Sequence, residues 1–410
     1  MLKRMLLLGV LACLSALHFS AAQVAPSLEW PQWRGFNRDG ISIEKGILKD
    51  WSGSKPTILW RKPLGEGYSA ISISQEHLYT MASVGADEFV FCLDAATGKE
   101  LWRFRTDSTF HSEQGNGPRS TPTVDGNWVF VLSAQGRLYA LNAKDGRKIW
   151  SHDLEDEFDS EIARWGTSCS PLAEKDIVIV DVGGKTNHSI MAFHKQNGAV
   201  AWNTHTDTQG YSSPIALTVN GVRQILIFTG TTLVSVSPTG KVYWKYPWRT
   251  DWYANIATPI FIPPDRVFIS TSYGTGAAVL KIKAAKDSVS FEEVWKSRAT
   301  QNHFNSSVFH QGHIYGFDSA ILQCIDASTG AEKWKHSGFG KGSLLLADGH
   351  LIVLSERGEL ALIEATSTGY KEKMRKQVLS GKTWTMPSLA NGKLYLRDQK
   401  ELVCLDLKKP

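Results

Sequence analysis

The side chains best suited to chemistry are thinly spread along this chain. Its densest acidic run, Asp153, Glu155, Asp156, Glu157, Asp159 and Glu161, lacks the Asp-x-Asp-x-Asp-Gly spacing that wraps calcium, so a solvated surface segment is expected. His310 and His313 flank Gln311-Gly312, a hairpin turn that would leave both imidazoles facing water, and two histidines do not complete a coordination shell. Cys92, Cys169, Cys324 and Cys404 are too widely spaced for a CxxC motif. Three of them, Cys92, Cys324 and Cys404, recur at one strand position beside Asp94, Asp326 and Asp406. Equivalent positions on neighbouring units stand farther apart than the ~7 Å between Cα atoms that a disulfide tolerates, so buried inert thiols are expected. No catalytic residue and no metal ligand is assigned.

A different set carries more promise. Tyr68, Arg119, Ser168, Tyr211, Ile256, Asn305, Lys341 and Trp384 occupy one register of an internal repeat, three residues before an inner-strand proline or its equivalent. Rotational symmetry would gather them into a ring. Stacking faces with two cations suit an anionic or sugar-like ligand, or an acidic peptide strand. The plainer reading is that they plug a channel. Trp165, Trp248, Trp252 and His303 lie in neighbouring connections and extend the surface. The residues expected to bind are Tyr68, Arg119, Trp165, Tyr211, Asn305, Lys341 and Trp384.

The elements that would position this ring follow from the 15 tryptophans. A glycine followed four residues later by tryptophan recurs in DAATGKELW, NAKDGRKIW, HKQNGAVAW, SPTGKVYW and DASTGAEKW, ending at Trp102, Trp150, Trp202, Trp244 and Trp334. A copy around Trp295 lacks the glycine, and one after Gly369 places Lys373 at the tryptophan position. A period near forty residues means a propeller or a helical solenoid. Short Val-, Ile-, Phe- and Tyr-rich runs separated by Asp-Gly, Asn-Gly and Gln-Gly turns decide for strands.

Eight inner strands are expected to begin near Ser69, Ser120, Ser168, Ser212, Ala257, Ser306, Gly342 and Thr385. The last unit lacks an outer strand, whereas Thr57-Ile58-Leu59-Trp60-Arg61 is an outer strand without a unit. The expected fold is therefore all-β, an eight-bladed β-propeller of four-stranded antiparallel blades over residues 58–410, closed by pairing the terminal strands. Trp60, Trp102, Trp150, Trp202, Trp244 and Trp334 should dock each blade on the next.

Composition bounds the rest. The chain has 410 residues, 42% of them hydrophobic and 21% charged, which fits a globular protein and excludes disorder or collagen. Its net charge of +5, without a basic block, gives no footprint for nucleic acid. Residues 1–22 read as a signal peptide cleaved after Ala22, with lipidation at Cys13 as the alternative. No later stretch is apolar enough to span a bilayer. Residues 23–57 form a lead segment. A monomer, periplasmic or secreted, is expected.

The AxDxxTGKxxW pattern, matched best by DAATGKELW and DASTGAEKW, resembles the tryptophan-docking repeat of the PQQ-like β-propellers. That family includes BamB-type propellers of outer-membrane-protein assembly and quinoprotein alcohol dehydrogenases. Trp30-Pro31-Gln32-Trp33-Arg34-Gly35 with Arg38-Asp39-Gly40, and GPRSTP at 117–122, resemble a bacterial exported group within it. The resemblance implies either a non-catalytic binding or scaffold module for a protein or glycan partner, or a dehydrogenase using pyrroloquinoline quinone (PQQ) with calcium. The vicinal disulfide of those enzymes has no counterpart here, so no cofactor is expected. Capture of an unfolded strand at a blade edge is a third possibility.

Overall fold

In a computed structural model that describes residues 28–49, 56–285 and 288–408, the chain builds eight separate sheets. The signal peptide and the lipidation alternative at Cys13 lie outside the described residues. Blade 1 comprises Ser72–Ser74, His77–Val84, Asp87–Asp94 and Glu100–Ser108, each antiparallel to the last. Blades 2 to 7 repeat this order over residues 123–153, 172–204, 215–247, 260–297, 308–336 and 343–377, and blade 8 consists of Ser388–Ala390, Lys393–Arg397 and Glu401–Asp406 closed by Thr57–Pro63. The ring is thus shut by its terminal strands, leaving no sheet open along the axis. Among the described residues no helix is long and apolar enough to cross a membrane.

One local device recurs in all eight blades. The register between third and outer strands slips at the docking position: between Ile58 and Trp60, Cys92 and Leu93, Lys148 and Trp150, Ala192 and Phe193, Ser235 and Val236, Val279 and Leu280, Cys324 and Ile325, and Leu362 and Ile363. Such a bulge re-aims one side chain, here the tryptophan, toward the adjacent blade. The indole N–H then donates to a carbonyl there: Trp60 to Ala95 at 3.3 Å, Trp102 to Ala143 at 3.1 Å, Trp150 to Lys195 at 2.8 Å, Trp202 to Pro238 at 3.0 Å and Trp334 to Thr366 at 2.8 Å.

The repeat glycine is the seat of the neighbour's ring as well as a turn residue. A Cβ on Gly98, Gly146, Gly198 or Gly240 would come within 2.8, 2.5, 2.8 or 2.7 Å of Trp60, Trp102, Trp150 or Trp202 respectively. Trp295, from the degenerate copy, docks in the same way, donating to Ala327 at 3.1 Å. Trp244 does not. The blade it faces extends its outer hairpin through Gly276–Ala285 and Ser288–Ser297 and offers no Thr-Gly turn. The indole instead packs on Phe291 and donates within its own blade to Gln224 at 3.3 Å. The register also corrects one position: Met374, not Lys373, pairs with Leu362 where the other blades carry tryptophan.

Cys92, Cys324 and Cys404 sit opposite Trp102, Trp334 and Trp60. They are free and fully buried, and burial pushes their thiols up to about 12, 11 and 12. The acidic run contains a short helix, Leu154–Phe158, capped by Asp153, which the strand-only reading did not anticipate. Leu154 and Phe158 fix it by burial while its acids pair outward, Glu157 with His152 and Glu161 with Lys185. His310 and His313 pair across the Gln311-Gly312 turn, as expected, but both are half-buried rather than fully turned to water.

The lead segment does not stand outside the ring. It touches every blade: Trp30 bridges to Ile73, Pro31 accepts from Val124, Trp33 donates to Thr258, and Arg34 reaches the carbonyls of Ser306 and Ser307. Arg38 donates to Ser170, Pro171 and Pro214, and Ile41–Ser42 adds a fifth, parallel strand to Ser343–Ala347. Leu48 then donates to Leu407. A segment that meets the inner strands of seven blades, or the residues leading into them, and touches Met386 just before the inner strand of blade 8 lies across the central channel. Gly35 permits this path, since a Cβ there would strike the Trp30 indole at 2.9 Å. Arg34 and Arg38 are 1% and 2% exposed and form no ion pair among the described residues; backbone carbonyls take up their donors instead.

Candidate functional site

With the lead segment across the channel, one mouth becomes a blind cup of about 270 Å³. Tyr68, Arg119, Ser168, Tyr211, Ile256, Lys341 and Trp384, seven of the eight register positions, line it together with Trp165 and His303. Each sits where a blade-to-blade connection enters an inner strand, so the repeat itself delivers them to one rim. Asn305, the eighth, stands behind the wall: its amide donates to the carbonyls of Lys341 and Gly342 and holds that connection. Trp248 is 2% exposed and donates to Thr271 inside the blade 4 and 5 core, away from the cup. Trp252 is 57% exposed, with the Arg164 guanidinium 4.5 Å over its ring, and does not line the cup.

The wall is a chain of rings. Tyr68 stacks on Trp384 at 5.5 Å, Trp384 meets Phe304 at 4.7 Å, and Phe304 meets His303 at 5.2 Å. His303 shares a hydrogen bond of 3.1 Å with the Tyr273 hydroxyl. Across the cup Trp165 lies 5.4 Å from Tyr211. Burial pushes the phenols of Tyr68 and Tyr211 up to about 12, so both are neutral donors at ordinary pH. Burial, with Lys341 nearby, lowers His303 to about 4, and its Nδ1 has no partner.

Arg119 and Lys341 line this wall and Lys382 flanks it over Trp384, with unequal freedom. Arg119 donates to the carbonyls of Trp165 and Gly115, both at 2.6 Å, and to that of Gly117. It therefore staples two rim loops, and burial lowers it to about 10. Lys341 has its ammonium 5.7 Å from the Trp384 ring centre and 5.9 Å from that of Phe304. Lys382 places its own 3.3 Å over Trp384 and donates to Gln114 at 2.9 Å. Burial pulls the Lys382 pKa down, and Lys341 and Arg119 add to the effect against Glu356. None of the three forms an ion pair among the described residues.

Sequence reasoning missed the base of the cup. Trp33, from the lead segment, lines it and is fixed by its N–H to Thr258 at 2.9 Å. Lys382, Phe304 and Tyr273 were missed as well, because they stand one or more residues off the ring register. The donor set does not fit calcium, which takes six to eight oxygens, many from carboxylates. The nearby acids are committed elsewhere: Glu113 to Trp165 at 2.9 Å, Glu356 to Trp384 at 2.8 Å and Glu66 to Asn116 at 3.0 Å. Among the described residues no group of three His, Cys, Asp or Glu could hold a metal.

Fold, docking tryptophans and channel define a PQQ-like β-propeller. The family model described as outer membrane protein assembly factor BamB matches residues 53–185 and 86–336, more than half the chain, and the protein belongs to that family. It is 22% identical over 374 residues to BamB of Yersinia pestis, covering 83% of this chain and 86% of that protein. The quinohemoprotein alcohol dehydrogenase ADH IIB of Pseudomonas putida is 30% identical, but over 129 residues, 28% of this chain and 17% of the enzyme. Among solved structures, BamB from Moraxella catarrhalis superposes with a TM-score of 0.63 at 14% identity, covering 87% of this chain and 98% of that one. The quinohemoprotein alcohol dehydrogenase of Comamonas testosteroni gives 0.64 at 12% identity, covering 95% and 82%. At such identities the superpositions establish the fold alone.

Proposed function

We propose that the protein is an exported, non-catalytic binding or scaffold propeller, and that its channel mouth holds a protein or glycan partner of the cell envelope. The observation that carries this reading is the cup: aromatic walls and Lys341, brought by the blade connections around one axis, over a base formed by Trp33 of the lead segment. Such a concave, mostly apolar site with a few placed polar groups is the ordinary form of a ligand pocket. The near full-length match to BamB of Yersinia pestis supports a scaffold over an enzyme, since the dehydrogenase match covers a small part of that enzyme. Tyr68, Trp165, Tyr211, Lys341 and Trp384 face the partner, while Arg119 and Asn305 hold the loops that present them.

The alternative, a PQQ-dependent dehydrogenase, would require calcium ligands that the cup does not supply. The two readings separate in one comparison. Immobilised protein should retain an envelope protein or glycan, and Tyr68→Ala with Trp384→Ala should cut the retained amount at least tenfold with the melting temperature of the ring kept. Alcohol-dependent dye reduction after loading with the quinone and calcium would contradict the proposal.

A further inference from the structure

Given the mouth as a binding surface, a reading on which the choice of occupant rests, three features of the cup restrict that occupant. The first is charge. Lys341 and Arg119 lie close enough to Lys382 to lower its pKa, and none of the three forms an ion pair among the described residues, Glu356 being hydrogen-bonded to the Trp384 indole. Beneath them Arg34 and Arg38 are buried with only carbonyl and neutral partners, and Arg38 binds the carbonyl of Ser170, itself a residue of the cup wall. Like charges gathered without an ion pair in a partly dry site, and only partly offset by Glu356, favour an anion.

The second is shape. The Trp33 indole lines the base, and among the described residues no other ring stacks on it, whereas Trp384 is covered by Tyr68 and Lys382. About 270 Å³ lies at the small end of the range for ligand sites and has room for one monosaccharide ring. The third is the placing of the polar groups. The hydroxyls of Tyr273, which shares a hydrogen bond with His303, of Tyr211, which accepts from the Trp165 amide, and of Ser168, which donates to the Gly166 carbonyl, each keep a further hydrogen-bonding position on the cup wall. An unsubstituted aromatic acid would leave those positions unused. A ring bearing a hydroxyl on each side satisfies them.

We infer that the cup holds one acidic sugar ring, a hexuronate, stacked on Trp33 with its carboxylate between Lys341 and Lys382. Charge-assisted hydrogen bonds from the two ammonium groups supply the selectivity for the acid, and the hydroxyl-facing rim supplies the selectivity for the sugar.

Calorimetric titration of the full chain with galacturonate, galactose and benzoate tests this. Galacturonate should bind at least tenfold more tightly than either of the others. The double variant Lys341→Met, Lys382→Met should reduce galacturonate to the level of galactose with no change in melting temperature, since both side chains project from the rim. Galactose or benzoate binding as tightly as galacturonate, or a double variant that keeps its preference for the acid, would overturn the inference. If galacturonate fails while envelope capture still depends on Tyr68 and Trp384, the sugar-acid assignment falls and the mouth stands. If capture ignores those two residues, the reading of the mouth falls with it.

Discussion

Glu88 shows how much electrostatics a single side chain contributes behind the cup. It lies fully buried between blades 1 and 2, accepting from Thr106 Oγ1 at 2.9 Å and from the Ala134 amide at 3.3 Å. Burial, reinforced by Asp107, raises its carboxyl to about 8 against the hydrogen bonds and Arg119. The folded protein therefore holds a proton that the unfolded chain, with an ordinary glutamate near 4.5, releases. Stability from this group is present at low pH and declines as pH rises from about 4.5 through about 8. Melting temperatures measured between pH 5 and 8 should fall in the wild type, and the slope should be shallower in Glu88→Gln. An equal slope in both would show that this carboxyl titrates normally.

At the scale of the element, the bulge, the tryptophan and the neighbour's glycine act as one joint. Gly198→Ala combines a positive φ of 75° with a Cβ 2.8 Å from the Trp150 ring, which should cost about 2–4 kcal/mol. Gly221→Ala has a similar φ of 77° and open space around its Cβ, so only the backbone term of about 1–2 kcal/mol remains. Urea midpoints of the two variants check the difference; equal losses would deny the glycine its role as a seat. Most of this joint was legible in the chain, because the Gly-to-Trp spacing recurs and hairpin turns separate the strands. The bulge was not, since it is a property of pairing and leaves no residue type behind. It moved the docking position of blade 7 from Lys373 to Met374, while Trp244 lacks a carbonyl on the next blade because that blade's long outer hairpin offers no Thr-Gly turn.

For the whole molecule, rotational symmetry made the cup readable: one register, followed around eight repeats, located seven of its lining residues. The lead segment obeys no repeat, so Trp33 at the base and the two axial arginines had no periodic signal. What the chain did offer was a run of two tryptophans and two arginines outside the blade register, each too costly to bury without a partner. Their partners, Thr258, Ser306 and Pro214 among them, lie more than 170 residues away in sequence. Threading this segment converts a channel into a cup, and the proposed reading has a partner meet the protein at that mouth. Amide hydrogen exchange of the protein with and without its captured envelope partner tests this directly. Slowed exchange should be confined to the loops at 112–119, 164–168, 303–305, 340–342 and 381–385. Protection of the outer strands Glu100–Ser108 and Lys148–Asp153, with the mouth loops unchanged, would contradict it.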